Sequence, residues 1–348
     1  MVDCCLDLPF DVRDAVALQR AQGTTPGTQT RHEFASSGRP GLIPDTCRST
    51  VPSATTVPLY GAADPESRMA PMTRAITGAT GQLGGRVARL LGADASRLVV
   101  RDPSRLTPEQ VTGREVVVAS YDDHDAAVVA LRGVDVLFMV SAAESPVRRE
   151  QHRTFIAAAA DAGVGHLVYT SFFGASPDAT FTLGRDHADA EAAIRDTGMP
   201  FTLLRDNFYS DFFPVFAGED GVIRGPAGDG RVAAVARDDV ADVAAAVLRD
   251  SAAHVGATYG LTGPEAVTLT EAAARMSLVL DRAYTFHDET LDEAYASRRI
   301  WSDEHWQLDA WVSTYTSIRD GEVAQVTDDV PRLTGHPART LEQAITTT

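Results

Sequence analysis

The sequence predicts an α/β fold: a doubly wound parallel sheet followed by a smaller C-terminal α/β lobe. Three observations carry this. Short apolar, β-branched runs recur between residues 75 and 204. Alanine-rich stretches with helical spacing separate most of them, and a glycine-spaced turn lies between the first run and the first helix. Strands that alternate with helices lie parallel, because each crossover returns the chain to the same end of the sheet, and the helices then cover both faces.

The first strand is Ala75–Thr77, and "RVARLL" after the glycine turn reads as an amphipathic helix. Leu98–Arg101, Val116–Ser120, Val134–Val140, His166–Thr170 and Phe201–Leu204 are the next strands. Helical "RREQHRTFIAAAADAG" and "DHADAEAAIRDTG" precede the last two, each stopping at a glycine, Gly163 and Gly198. Beyond Leu204, "RVAAVARDDVADVAAAVL" predicts a capped helix, "ATYGLTG" a strand and "TLTEAAARMSLVL" another helix. "WSDEHWQLDAW", Trp301 to Trp311, reads as the packing face of the small lobe, with a substrate lid as the alternative. The acid pairs Asp122–Asp123, Asp238–Asp239 and Asp328–Asp329 read as helix caps. "RRE", Arg148–Glu150, reads as a solvated helix start.

Composition excludes several chemistries. All 31 basic residues are arginine, so lysine-based phosphate loops, Schiff bases and a Tyr-x-x-x-Lys pair are out. The three cysteines, Cys4, Cys5 and Cys47, leave the main domain without a thiol nucleophile or cysteine-bound metal. His124, His152, His254, His287, His305 and His336 show no metal-ligand spacing, so no metal is expected. A net charge of −17 argues against nucleic-acid partners, and the absence of an apolar run of spanning length argues against a membrane. A soluble, cytoplasmic protein is expected.

Gly78, Gly81 and Gly84 form G-x-x-G-x-x-G directly after the first strand. In a Rossmann-type unit the first glycine permits a tight turn, the next lets backbone approach a pyrophosphate, and the last lets helix and strand pack closely. The pyrophosphate then meets free amides at the positive end of the helix. Arg101, at the tip of the second strand, and Arg105 offer guanidinium groups to an adenosine 2′-phosphate, which favours NADPH over NADH; a solvated Arg101 is the plainer reading. Asp122 is placed either to meet the adenine edge or to cap a helix. Residues 72–205 are therefore expected to bind NAD(P), and 206–348 to form a substrate-binding lobe. Residues 1–71, rich in Gly, Pro, Ser and Thr, are expected to be a disordered leader, with Met69 or Met72 as the functional start; a regulatory tail is the competing reading.

"ITGATGQLGGRVARLL", "VRDPSRL", "SYDDHDAAVVALRGVDVLFMVSAAES", "HLVYTSFFGA", "DHADAEAAIRDTGMPFTLLRDNFYSDFF" and "LTGHPARTLEQAI" together resemble the NmrA-like atypical short-chain dehydrogenases, and within them the type 2 NAD(P)H:quinone oxidoreductases. The resemblance runs from about Met72 to Ile345. It implies NADPH contacts at Gly78, Thr80, Gly81, Gln82 and Leu83, at Arg101, at Ser141, Thr170, Ser171 and Phe172, and after strand six at Asn207, Phe208 and Tyr209. His187 stands where isoflavone reductase-like relatives carry an essential lysine, so their proton-transfer role does not carry over unchanged.

At the strand ends, Ser141, Phe172, Phe173 and Tyr209 are expected to surround the substrate, with Asn207, Phe208 and His187 beside them. Aromatic walls suit a flat quinone. His187 is a candidate proton donor, or a surface residue paired with Glu191 one turn on. The expected function is NADPH-dependent hydride transfer to a quinone or similar carbonyl or enone, without flavin or metal, in a chain that could form a homodimer. A dinucleotide-binding redox sensor without catalysis is the alternative.

Overall fold

The computed structural model describes residues 72–346. The expected leader, with its three cysteines, lies outside them. Six parallel strands arise where the apolar runs predicted them: β1 (Arg74–Thr77), β2 (Arg97–Val100), β3 (Glu115–Val118), β4 (Val136–Met139), β5 (His166–Phe172) and β6 (Phe201–Asp206). Two short strands follow, β7 (Val222–Gly225) and β8 (Arg231–Val232), and then β9 (Thr258–Leu261), which joins the same sheet. The order is β3-β2-β1-β4-β5-β6-β9, parallel throughout. β1 is flanked by β2 and β4, with Ala75 opposite both Arg97 and Leu137. The chain direction across the sheet reverses there, which opens a crevice at the carboxyl ends of the strands. All seven residues of β5 are buried, as a central strand covered on both faces requires.

One face packs on α1 (Gln82–Leu91), the other on α2 (His124–Leu131), α3 (Arg148–Asp161) and α4 (Thr182–Asp196). α1 buries Leu83, Gly84, Gly85, Val87, Ala88 and Leu91 along one stripe. It lies beside α5 (Arg237–Arg249), whose Val240, Val243, Ala244, Val247 and Leu248 join the same core. That helix starts at Arg237 and is not the longer one expected. The preceding "RV" is β8, and Ala236 at the cap position makes no side-chain cap.

Past the expected boundary at 205/206, the chain gives the large sheet its last strand and α5, and also builds a second core. β7 pairs with β11 (Thr285–Asp288), and β8 with β10 (Val267–Thr268). α6 (Leu269–Val279), α7 (Leu291–Arg298) and α8 (His305–Arg319) pack over them around Phe208, Phe213, Met276 and Trp311. α6 opens on a capping box in which Thr268 and Glu271 satisfy each other's amides. The tryptophan segment divides: Trp311 is 3% exposed and packs, whereas Trp301 is 58% exposed.

Of the acid pairs, Asp122–Asp123 does supply a helix cap, while Asp238, Asp239 and Asp329 are corrected. Asp123, not Asp122, caps α2, accepting from Ala126 N at 3.0 Å. Asp238 lies inside α5 and pairs with Arg86 of α1 at 2.6 Å. Asp239 is fully buried and accepts from Arg339 N at 2.7 Å. Asp329 accepts from Gly260 N at 2.7 Å. For Asp238, Asp239 and Asp329 a fixed donor from another element outcompetes solvent, which sequence-local reasoning does not register.

Candidate active site

The glycine turn is built for close approach. Gly78 has φ +63°, a conformation only glycine adopts without strain, and a Cβ there would sit 3.1 Å from Val140 Cβ. A Cβ on Gly84 would overlap the carbonyl oxygens of Gly78 and Thr77, so helix and strand touch as the third glycine predicts. Gly81 N donates to Gly78 O at 2.9 Å and closes the turn. The first bond into the helix runs from Gly85 N to Gly81 O at 3.0 Å. The amides of Leu83 and Gly84 before it have no acceptor inside the helix, and they carry its positive end.

Two side chains brace this turn that the sequence reading did not single out. Gln110 Nε2 donates to Ala79 O at 2.8 Å. Tyr121 Oη lies 2.6 Å from Thr77 Oγ1 and donates to Val140 O at 2.5 Å, tying together the ends of β1 and β4. Tyr121 also stacks on Phe155, with ring centroids 4.2 Å apart. Only its position in "SYDDHD", one residue past the expected strand Val116–Ser120, could have flagged it.

At the tip of β2, Arg101 and Arg105 are exposed. Asp102 is engaged locally: it accepts from Ser104 N at 2.9 Å and Ser104 Oγ at 2.6 Å, and those bonds hold its carboxyl below the usual range. Asp122 accepts from Ser120 Oγ. That bond, a backbone bond and, to a smaller degree, the nearby Arg101 guanidinium hold its pKa down against a slight effect of burial.

The ends of β4, β5 and β6 are more deeply buried than expected. Thr170 Oγ1 accepts from Ser141 N at 2.9 Å. Ser171 Oγ donates to Glu191 at 2.6 Å, on the α4 side of the sheet. Phe172 and Phe208 do not form an open wall: both are core residues, 5.0 Å apart between ring centroids and each packed on Phe181. Phe173 is half-buried and lies against Gly260 of β9. Asn207 is buried and spent on backbone, its Nδ2 donating to Val323 O at 3.0 Å. Tyr209 Oη donates to Asp206 Oδ2 at 2.5 Å, and the Arg237 guanidinium covers its ring at 4.9 Å.

His187 is neither a surface residue nor in the first turn of its helix. It is the sixth residue of α4 and 0% exposed. Arg148 Nη2 lies 3.0 Å from its Nε2, and Tyr169 Oη lies 3.0 Å from its Nδ1. Burial, then the charges of Arg148, His152 and Arg205, holds the imidazole well below its ordinary range. Glu191 turns instead to Arg205, which binds it through two bonds of 2.7 and 2.6 Å. "RRE" does open α3, with Arg149 and Glu150 exposed, but Arg148 is corrected: it is 3% exposed, because its guanidinium finds three internal partners.

Buried polar atoms without a hydrogen-bond partner include Ser141 Oγ, Asp206 Oδ1 and Ser210 Oγ, all at the carboxyl ends of β4 and β6. Each such atom costs about 1–3 kcal/mol until something pairs with it. Together with the glycine cradle they fit a ligand that brings phosphates to one end of the crevice and polar groups to the other. A separate groove of 410 Å³, lined among others by Pro264, Thr327, Pro331 and His336, includes none of these residues. Among the described residues, Asp239, Asp242 and His336 have metal-ligand proximity, but Arg339 already binds both carboxylates.

A parallel sheet in this order, with a glycine cradle at its switch point, defines a Rossmann-type dinucleotide-binding protein. The sequence model described as NAD(P)H-binding matches residues 78–251. The chain is 39% identical over 269 residues to a (4-alkanoyl-5-oxo-2,5-dihydrofuran-3-yl)methyl phosphate reductase of Streptomyces griseus, covering 76% of this chain and 93% of that protein. It is 34% identical over 278 residues to quinone oxidoreductase 2 of Escherichia coli, covering 78% and 96% respectively. The crystal structure of the NADPH-dependent quinone oxidoreductase from Escherichia coli, complexed with NADPH, superposes with a TM-score of 0.73 at 33% identity, covering 79% of this chain and 99% of that one. The chain belongs to the NAD(P)H-binding family and is an oxidoreductase that uses a nicotinamide cofactor. No helix among the described residues is long and apolar enough to cross a membrane.

Proposed function

We propose that this chain binds NADPH in preference to NADH and reduces a quinone or a similar flat carbonyl or enone, without flavin or metal. The observation that carries the reading is the paired construction of the crevice. A backbone cradle at Gly78–Gly84 stands at one end, and the unpaired polar atoms of Ser141, Asp206 and Ser210 stand at the other. When bound, the nicotinamide supplies a hydride to an electrophile stacked on it.

The chain's own residues do the rest. Leu83 and Gly84 amides neutralise phosphate charge at the α1 terminus. Arg101, with Arg105 behind it, offers its guanidinium to the 2′-phosphate, and Asp102 does not compete because the Ser104 turn holds it. Ser141 and Ser210 orient polar groups at the nicotinamide end. Phe173, half-buried beside the buried strand ends, presents an apolar face to the substrate. What this chain shares with the relatives named as reductases of a quinone and of an oxo-dihydrofuran supports an oxygenated, conjugated small molecule as substrate.

Steady-state oxidation of NADPH with a panel of benzo- and naphthoquinones tests this. Turnover is expected with several of them, and binding of NADPH without turnover on any quinone, carbonyl or enone would overturn it. Arg101→Ala is expected to weaken NADPH at least tenfold more than NADH, the scale of a lost charge-assisted bond; equal losses for both would sink the 2′-phosphate assignment.

A further inference from the structure

The loop leaving β4 is held from behind by side chains that the proposed chemistry does not use. Ala142 N donates to His152 Nε2 at 2.8 Å, and Ala142 O accepts from Arg148 Nε at 2.8 Å. Both backbone groups of one residue therefore end on α3, on side chains one turn apart. Arg148 is itself fixed: Nη2 reaches His187 Nε2 at 3.0 Å, and Nη1 lies 3.5 Å from Leu183 O and 3.6 Å from the Asp186 carboxylate. A guanidinium donates and never accepts, so His187 Nε2 must present a lone pair. The imidazole proton then sits on Nδ1, facing the Tyr169 hydroxyl. A second proton on Nε2 would point at a cation and break the contact.

We propose that Arg148, His152 and His187 form a clamp that fixes the backbone of Ala142 for the dinucleotide, with His187 acting through Arg148 as a positioning residue. The inference rests on the reading that the β4 loop lines the nicotinamide end of the crevice. Regular structure stops at Met139, and the next residues carry their amides to side chains: Ser141 to Thr170, Ala142 to His152. Without the clamp this loop would sample many conformations, and binding would have to order it. The chain has no lysine, and arginine can reach the Ala142 carbonyl and the histidine at once through its fork. His187 serves as the neutral acceptor that orients that fork, a task incompatible with giving a proton to substrate.

Amide hydrogen exchange of the ligand-free full chain, read at residues 140–146, tests the clamp, alongside NADPH affinity by fluorescence titration. His187→Leu is expected to speed exchange at Ala142 at least tenfold and to weaken NADPH about tenfold, the size of one charge-assisted hydrogen bond. The pH profile of kcat is expected to keep its wild-type shape. His187→Gln puts an amide oxygen where Nε2 was and is expected to restore most of both losses. Unchanged exchange in His187→Leu, equal losses in Gln and Leu, or a changed shape of the pH profile would each overturn the proposal. Should His187→Leu not fold, Arg148→Lys serves instead: it keeps a buried cation but cannot hold both partners, and unchanged exchange there counts equally against the clamp. Absence of NADPH affinity in the wild type would defeat the proposed function, while the exchange comparison would still judge the clamp.

Discussion

His187 and Asp206 show how burial decides which chemistry a side chain can perform. Both are fully buried, and burial pushes them in opposite directions: the imidazole pKa falls and the carboxyl pKa rises well above its ordinary value, although the Tyr209 hydroxyl opposes that rise. The sign of the consequence for Asp206 follows from proton counting. Above a pH of about 3.9 the unfolded chain has lost this proton while the folded chain keeps it, so stability falls as pH rises until the folded pKa is reached. The slope across that window is about 1.4 kcal/mol per pH unit. Asp206→Asn removes the titration, so its stability relative to wild type is expected to improve as pH rises from about 4 to about 7. Urea midpoints at the two pH values check this, and a difference that does not change with pH would refute it. Gly84 is the steric counterpart. A Cβ there has no space against the backbone of Gly78, so Gly84→Ala is expected to cost about 3 kcal/mol and to abolish NADPH binding, measured by denaturant titration and fluorescence.

Elements are joined by a small number of fixed ionic contacts whose partners lie far apart in sequence. The clearest is the C-terminal tail on α5: Arg339 binds Asp239 through its backbone amide and its guanidinium, and Asp242 at 2.9 Å. Asp239 is 0% exposed, so removing the cation would leave a buried carboxylate without its main partner. Arg339→Ala is expected to destabilise by roughly 3 kcal/mol, the scale of a broken buried pair. Arg332→Ala, whose pair with Asp329 is half-exposed, is expected to cost under about 1 kcal/mol. Equal midpoints for the two variants would contradict this account. The strands β1 to β6 and the helices ending at Gly163 and Gly198 were legible in the sequence, because apolar period and glycine stops are local signals. The start of α5 was not: "RVAAV" has helical composition, but pairing with Val267–Thr268 makes its first two residues strand.

At the scale of the whole molecule, the carboxyl ends of β1, β4, β5 and β6 bring residues from 78 to 210 to one crevice, and a ligand spanning it should stabilise the entire sheet. NADPH at about a hundred times its Kd is expected to raise unfolding stability by roughly 2.7 kcal/mol. Thermal unfolding with and without the dinucleotide measures this, and an unshifted midpoint at saturating NADPH would argue against the crevice. By itself, the sequence determined the class of fold, the glycine cradle and the kind of ligand it faces. Those depend on residues adjacent in the chain, whose backbone freedom and hydrophobic spacing act over a few positions. Tertiary structure alone decided that Arg148 is internal, that it meets a buried His187, and that Phe172 and Phe208 are core. Protonation and orientation depend on which charges and apolar surfaces arrive from other elements, and no local pattern of residues contains them.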